Sequence, residues 1–176
     1  MEVYRLTSLV LGILWLAPII EDPYNPNQAY LAGGGLSGGN HLFHLTAGNS
    51  SISYIEEPYS FNSTISAMGY SSIDPNNRYV LTTTGNFYHS NNDGHVWQIS
   101  SDFEGPGSHY FYGSTIWSSQ NTPGKLIIGG SGYSNPPVYI SYNHGERFVP
   151  FNDGVSSTLV LELAGTSDDE IFFVET

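Results

Sequence analysis

Histidines His41, His44, His89, His95, His109 and His144, together with sixteen Asp or Glu, are the residues of this chain that could move protons or hold a metal. A metal needs several such ligands converging on one point. His41 and His44 are three apart, which places them on opposite faces of a strand. His95 and His144 fall in turn-like stretches, where surface exposure is expected. No metal site and no cofactor are therefore expected. The candidate acids are Asp22, Glu56, Glu57, Asp74, Asp102, Glu104, Asp153, Asp168, Asp169 and Glu170. Most sit in turns, where Asp is simply a turn former. Adjacent Glu56 and Glu57 would point to opposite faces of a strand, so they make no aligned pair for acid–base work. No residue is assigned as catalytic.

Charge narrows the partners. The net charge is −12, and the four basic residues, Arg5, Arg78, Lys125 and Arg147, are scattered. Binding a phosphate backbone requires clustered Lys and Arg, so nucleic acid is not an expected partner. There is no cysteine, hence no disulfide framework and no thiolate site. The apolar run Leu9–Ile20 is short and interrupted by Pro18, which argues against membrane insertion. It could be the core of a signal peptide or a buried inner strand. Glu2 and Arg5 precede it and no small-x-small cleavage site follows, so the strand is favoured.

The elements that must position these residues are strands. Glycine stands at 20 positions and tyrosine at 13, and no apolar run keeps helical spacing for three turns. An all-β chain follows. Ser90-Asn91-Asn92-Asp93-Gly94-His95-Val96-Trp97 recurs 51 positions later as Ser141-Tyr142-Asn143-His144-Gly145-Glu146-Arg147-Phe148. Both read Ser-x-Asn-x-Gly-x-x-aromatic and follow a strand-like run. Asn tolerates a left-handed backbone and can bond the chain two residues on, so each is expected to close a β-hairpin. Around them lie first strands (Ile65–Met68, Ile116–Ser118, Leu159–Leu161) and Pro/Asn/Asp turns. Second strands follow at Ala29–Ala32, Tyr79–Leu81, Leu126–Ile128 and Ile171–Phe173. The turn within Glu21–Asn27 resembles Ile73–Asn77. In the first copy the hairpin is degenerate, turning through Ala47-Gly48-Asn49.

This pattern resembles the Asp-box (BNR) repeat of sialidase-like β-propellers, with Asn at the acidic position. A unit of four strands repeating every forty to fifty residues is the propeller signature. The expectation is a β-propeller of four-stranded antiparallel blades, about three to three and a half of them. Residues 1–58, 59–107 and 108–154 would form blades, and 155–176 would start a fourth. The chain would then be a fragment of a larger ring, closed by remaining blades or, less readily, by self-association. The resemblance gives Ser90, Asn92, Gly94, Trp97, Ser141, Asn143, Gly145 and Phe148 a structural role. It also implies an extracellular or cell-surface location after bacterial export. Sialidase activity would need an arginine triad and an Arg-Ile-Pro motif; three arginines are present and the motif is not. Tyr110, Tyr112 and Tyr133 stand in Gly/Ser/Asn-rich loops suited to ligand contact. The leading expectation is a non-catalytic module binding a glycan or a protein. The alternative is part of a xyloglucanase-like or sialidase-like glycoside hydrolase whose acids lie partly elsewhere.

Overall fold

A computed structural model describes residues 17–32, 36–101, 103–106, 114–151, 153–155, 158–170 and 172–176, with backbone alone at 36–37. Apart from one short 3-10 turn at Leu36–Gly39, every regular element is a strand. Sheet 1 is β1 (Ile19–Glu21), β2 (Gln28–Leu31), β3 (Phe43–Ala47) and β4 (Ile52–Glu56). Sheet 2 is β5 (Ile65–Tyr70), β6 (Arg78–Thr82), β7 (Phe87–Ser90) and β8 (Gln98–Ile99). Sheet 3 is β9 (Thr115–Ser118), β10 (Leu126–Gly129), β11 (Val138–Ser141) and β12 (Val149–Pro150). Sheet 4 pairs β13 (Glu162–Gly165) with β14 (Phe172–Glu175). Every pairing is antiparallel between sequence neighbours.

The register identifies the true equivalents. Tyr30 faces His44, Tyr79 faces His89 and Ile127 faces Ile140 in the second and third strands of successive sheets. The turns between first and second strands share one construction. Asp22, Ser71 and Ser119 are all buried, and each side chain accepts the backbone N–H groups two and three residues on. Asn25-Pro26, Asp74-Pro75 and Thr122-Pro123 then close these turns through matching backbone hydrogen bonds. The Asp22-Pro23 pair therefore does not correspond to Asp74-Pro75, although the letters match.

One strand expectation is corrected. Leu159–Leu161 is not the first strand of sheet 4, which runs over Glu162–Gly165. Instead Leu159 bridges to Ser131, and the Val160 N–H bonds to the Gly130 carbonyl. Val160 is thereby buried against Gly129, where a Cβ would collide with it. The apolar residues here stitch sheet 4 to sheet 3 rather than start a strand.

The core lies between the sheets. Second and third strands such as β6, β7 and β11 are largely buried on both faces, so apolar residues do not simply alternate with polar ones along them. Three clusters fill three seams: Tyr30, Leu42, Phe61, Val80, Tyr88 and Trp97 between sheets 1 and 2; Tyr79, Leu81, Phe87, Leu126, Ile128 and Tyr139 between 2 and 3; Ile127, Val138, Ile140, Val160 and Leu163 between 3 and 4. First strands stand side by side, β1 by β5, β5 by β9, β9 by β13. Ile19–Glu21 is thus an inner strand, while residues 1–16 lie outside the described residues. No helix among the described residues is long and apolar enough to cross a membrane.

Candidate functional site

The two repeated hairpins have the same internal hydrogen bonds. Ser90 Oγ accepts the Gly94 N–H at 2.9 Å and donates to Asn92 Oδ1, which in turn accepts the Val96 N–H at 2.9 Å. Ser141 and Asn143 repeat this with the N–H groups of Gly145 (2.9 Å) and Arg147 (3.0 Å). The expectation that Asn itself would be left-handed is corrected. The left-handed residues are Asp93 (φ 61°) with Gly94, and His144 (φ 56°) with Gly145. Asn92 and Asn143 use their side chains to tie down the backbone four residues on.

That geometry throws the residue after the Asn towards the preceding sheet. In the first seam Asp93 forms an ion pair with the buried Arg78, whose guanidinium lies 4.2 Å above the Tyr30 ring. Tyr30 stacks on His44 (4.5 Å), and His44 Nε2 lies 3.3 Å from Asp22 Oδ2. Burial alone would raise the Asp22 carboxyl. The N–H donors of Tyr24 and Asn25, the Asn25 side chain and the Arg78 charge outweigh it and hold the carboxyl below its ordinary value. Trp97 is buried here, edge-on to Phe61 at 5.1 Å.

In the second seam His144 takes the place of Asp93. It stacks on His89 (5.1 Å, 8°), and its Nδ1 is 2.8 Å from the Tyr79 hydroxyl. Asn77 donates through Nδ2 to Asp74, leaving Oδ1 to accept from His89 Nε2 at 2.9 Å. That fixes neutral His89 as the Nε2–H tautomer. Burial, and secondarily the neighbouring His144, push His89 down to about 4. Burial also lowers His144, with Asp74 and Glu146 pulling the other way. The expected surface exposure of His144 is thus corrected: it and His89 are both half-buried seam residues. The equivalence of the Tyr79/His89 and Tyr30/His44 pairs shows only in the strand register, since the connecting loops differ in length and the sequence spacings do not match. Among the described residues no three His, Asp or Glu converge as metal ligands.

Phe148, half-buried, packs on Phe87 and Phe103 in this seam. Phe103 also meets Tyr139 edge-on, so it belongs to the core rather than to a ligand surface. Of the three tyrosines expected at a ligand surface, Tyr133 is 68% exposed. Tyr110 and Tyr112 lie outside the described residues.

The concave surface of the molecule is elsewhere. The side-by-side first strands line a groove of about 390 Å³ with Ile19, Ile20, Ser66, Met68, Ser114, Thr115, Ile116 and Glu162. Ser66 Oγ contacts the Leu81 carbonyl and Ser114 Oγ, and Thr115 Oγ1 donates to Glu162 Oε1 at 3.5 Å. Sequence reasoning named none of these hydroxyls and passed over Glu162. Ser66, Thr115 and Glu162 lie on first strands and Ser114 directly precedes one, and together they become a wall only once the sheets are assembled.

No family model and no curated protein matches the chain. Solved structures do. The chain is similar to the GH74 enzyme of Niastella koreensis, with a TM-score of 0.64 at 17% identity over 89% of this chain and 25% of that one. It is also similar to YCF48 bound to D1 peptide (TM-score 0.58, 8% identity, 90% of this chain and 47% of that one). Sqt1 from Chaetomium thermophilum follows at TM-score 0.55 and 12% identity, over 93% of this chain and 44% of that one. The chain has the β-propeller fold. It spans between about a quarter and a half of the length of these structures. The four sheets are thus propeller blades, and the groove on their first strands faces the propeller axis.

Proposed function

We propose that this chain is part of a β-propeller that binds an extended ligand, a glycan or a peptide, and does not turn it over. One observation carries the reading: among the described residues the axial groove combines hydroxyls (Ser66, Ser114, Thr115) with apolar side chains (Ile20, Met68, Ile116) around one carboxylate, Glu162. Hydroxyls and flat apolar walls suit polar polymers that must be held and released. Glycoside hydrolysis instead calls for two carboxyl groups roughly 5–10 Å apart across one bond. The hairpins of the Ser-x-Asn-x-Gly-x-x-aromatic type serve the seams in this reading, as in the Asp-box proteins they resemble. Export to the cell surface goes with it, and fractionation of the producing cells tests that part.

The second reading, a segment of a glycoside hydrolase, draws on Glu162 as a carboxylate inside the groove and on the GH74 likeness in fold. One experiment separates the two. The chain is screened against peptide arrays and soluble polysaccharides for binding, and against the same polysaccharides for release of reducing ends. Binding without release, lost on Ser114→Trp, is the expected result. Release that disappears with Glu162→Gln would establish the hydrolase instead.

A further inference from the structure

Blade 1 differs from blades 2 and 3 at the rim of the propeller. The outermost strands β8 and β12 are two residues long, and half of β12 is Pro150, which has no N–H. Short strands and proline are how sheets keep an outer edge from pairing with another chain. β4 has neither protection: it runs for five residues, Ile52–Glu56, without a proline. No strand among the described residues pairs with its outer side. This rim is separate from the axial groove, which β1 lines at the opposite edge of the same sheet.

Backbone and side chains along this edge are both sorted. The Glu57 N–H bonds the Leu42 carbonyl, and the Gly48 N–H bonds the Ser51 carbonyl, each at 2.8 Å. Hydrogen-bonded pairs alternate along an antiparallel ladder, so Ile55 and Ser53 turn their backbone groups inwards to His44 and Thr46. The N–H and C=O groups of Ile52 and Tyr54 therefore point outwards. Ile55 and Glu57 share the face of the Tyr30/His44 pair, and Tyr54 and Glu56 share the other. Ile55 is 70% exposed although blade 2 packs on its face, so that exposure belongs to the rim. Each face thus carries an apolar side chain and then an acid. Glu56 lies 3.5 Å from His41 and Glu57 4.0 Å from His44, and both acids are more than a third exposed.

We infer that β4 is a docking edge for an extended, basic segment of another protein, which adds antiparallel to it as a fifth strand of blade 1. Charge complementarity specifies the occupant. Read from its N-terminus, the segment places two basic residues opposite Glu57 and Glu56, then two apolar residues opposite Ile55 and Tyr54. Backbone hydrogen bonds to Ile52 and Tyr54 hold it, and the cross-strand charge pairs set its direction and register. A second copy of this chain suits the edge poorly, because two bodies of charge −12 repel each other.

The test uses the full chain and a labelled peptide, Lys-Lys-Val-Tyr-Thr-Val, with binding read by fluorescence anisotropy. Saturable binding is expected, at least tenfold weaker for the same residues in reverse order. It should also weaken at least tenfold with Tyr54→Pro, which removes an outward N–H at an edge where proline is tolerated. Tyr54→Thr keeps that N–H and should lose less than Tyr54→Pro. The double variant Glu56→Lys/Glu57→Lys should weaken binding at least tenfold at an unchanged melting temperature, which guards against misfolding of the proline variant. Absence of saturable binding overturns the proposal, as does equal affinity for the reversed peptide or for the double variant. Binding that is lost with Ser114→Trp and kept with Tyr54→Pro would seat the peptide in the axial groove and overturn it too. So would a dimer of the chain that Tyr54→Pro abolishes, which would make a second copy the occupant.

Discussion

Acidification from pH 7 to pH 4 should loosen the seam between blades 2 and 3 through His89. The ring is half-buried, stacked on His144 and Tyr79, and hydrogen-bonded to Asn77. Protonating it places a charge where burial disfavours one, beside a second imidazole; the acids nearby, Asp74 and Glu146, bear on His144. Neutral His89 is therefore favoured in the folded state, with its value moved from 6.5 to about 4. The unfolded chain binds the proton first as the pH falls. Stability from this group is fully present above about pH 6.5 and drains away between there and pH 4. Each tenfold step in proton affinity is roughly 1.4 kcal/mol, so full exclusion of water would make the effect about 3 kcal/mol. The ring's exposed rim screens the charge and reduces this to about 1–2 kcal/mol. Urea unfolding at intervals from pH 7.5 to 4 reads it, comparing the native chain with His89→Gln, which can still donate to Asn77 but cannot titrate. The native chain should lose about 1–2 kcal/mol more than the variant over that range. Parallel stability curves would refute the reasoning, since Asp22 and the other carboxylates are common to both proteins.

Trp97→Ala should cost about 3–5 kcal/mol in a denaturant titration, because it empties the pocket formed by Phe61 and Tyr59. A cost under about 0.5 kcal/mol, typical of a featureless surface site, would contradict the hairpin's role in the seam. Gly145 and Gly154 both have φ near 80°, yet the first abuts Phe87 and the second has open space around it. Gly154→Ala should therefore cost about 1 kcal/mol for the backbone alone, and Gly145→Ala at least about 3 kcal/mol because overpacking is added; equal costs by thermal denaturation would show the Phe87 contact to be slack. Asp93→Ala leaves Arg78 buried with its partner gone, and should destabilise by about 2–3 kcal/mol in urea. That is below the value for a fully enclosed pair because Asp93 is partly in water.

The architecture was legible because propeller blades repeat both turn chemistry and strand period within a short window. Ser90–Trp97 and Ser141–Phe148 announced hairpins through residue types alone, and the strands around Tyr79–Leu81 and Leu126–Ile128 followed from β-branched and aromatic runs. What escaped was whatever depends on contacts between blades. Leu159–Leu161 looks like a strand because it is apolar, and it is apolar because Val160 plugs the space beside Gly129. His144 sits in a turn and reads as exposed; its left-handed backbone turns it inward onto His89. The groove residues Ser66, Ser114, Thr115 and Glu162 are unremarkable one by one, and the side-by-side arrangement of β5, β9 and β13 is what gathers them.

The seams also explain why the hairpins are not interchangeable despite a shared pattern. Ser and Asn are spent on internal hydrogen bonds and set the shape, while Gly145 also permits the close approach of Phe87. Specificity falls to the residue after the Asn and to the closing aromatic, which meet the neighbouring blade directly or, for Asp93, through Arg78 of its own blade. Asp93 faces Arg78, which covers the Tyr30/His44 pair; His144 faces the Tyr79/His89 pair directly. Exchanging them would set a histidine against a buried guanidinium in one seam and a carboxylate against two polar rings in the other. The first exchange, Asp93→His, should destabilise at least as much as Asp93→Ala, because an imidazole neither neutralises Arg78 nor fits the smaller space. If Asp93→His instead unfolded in urea like the native chain, the seam would be tolerant of any hairpin, and the order of the blades would have to be fixed by the connectors alone.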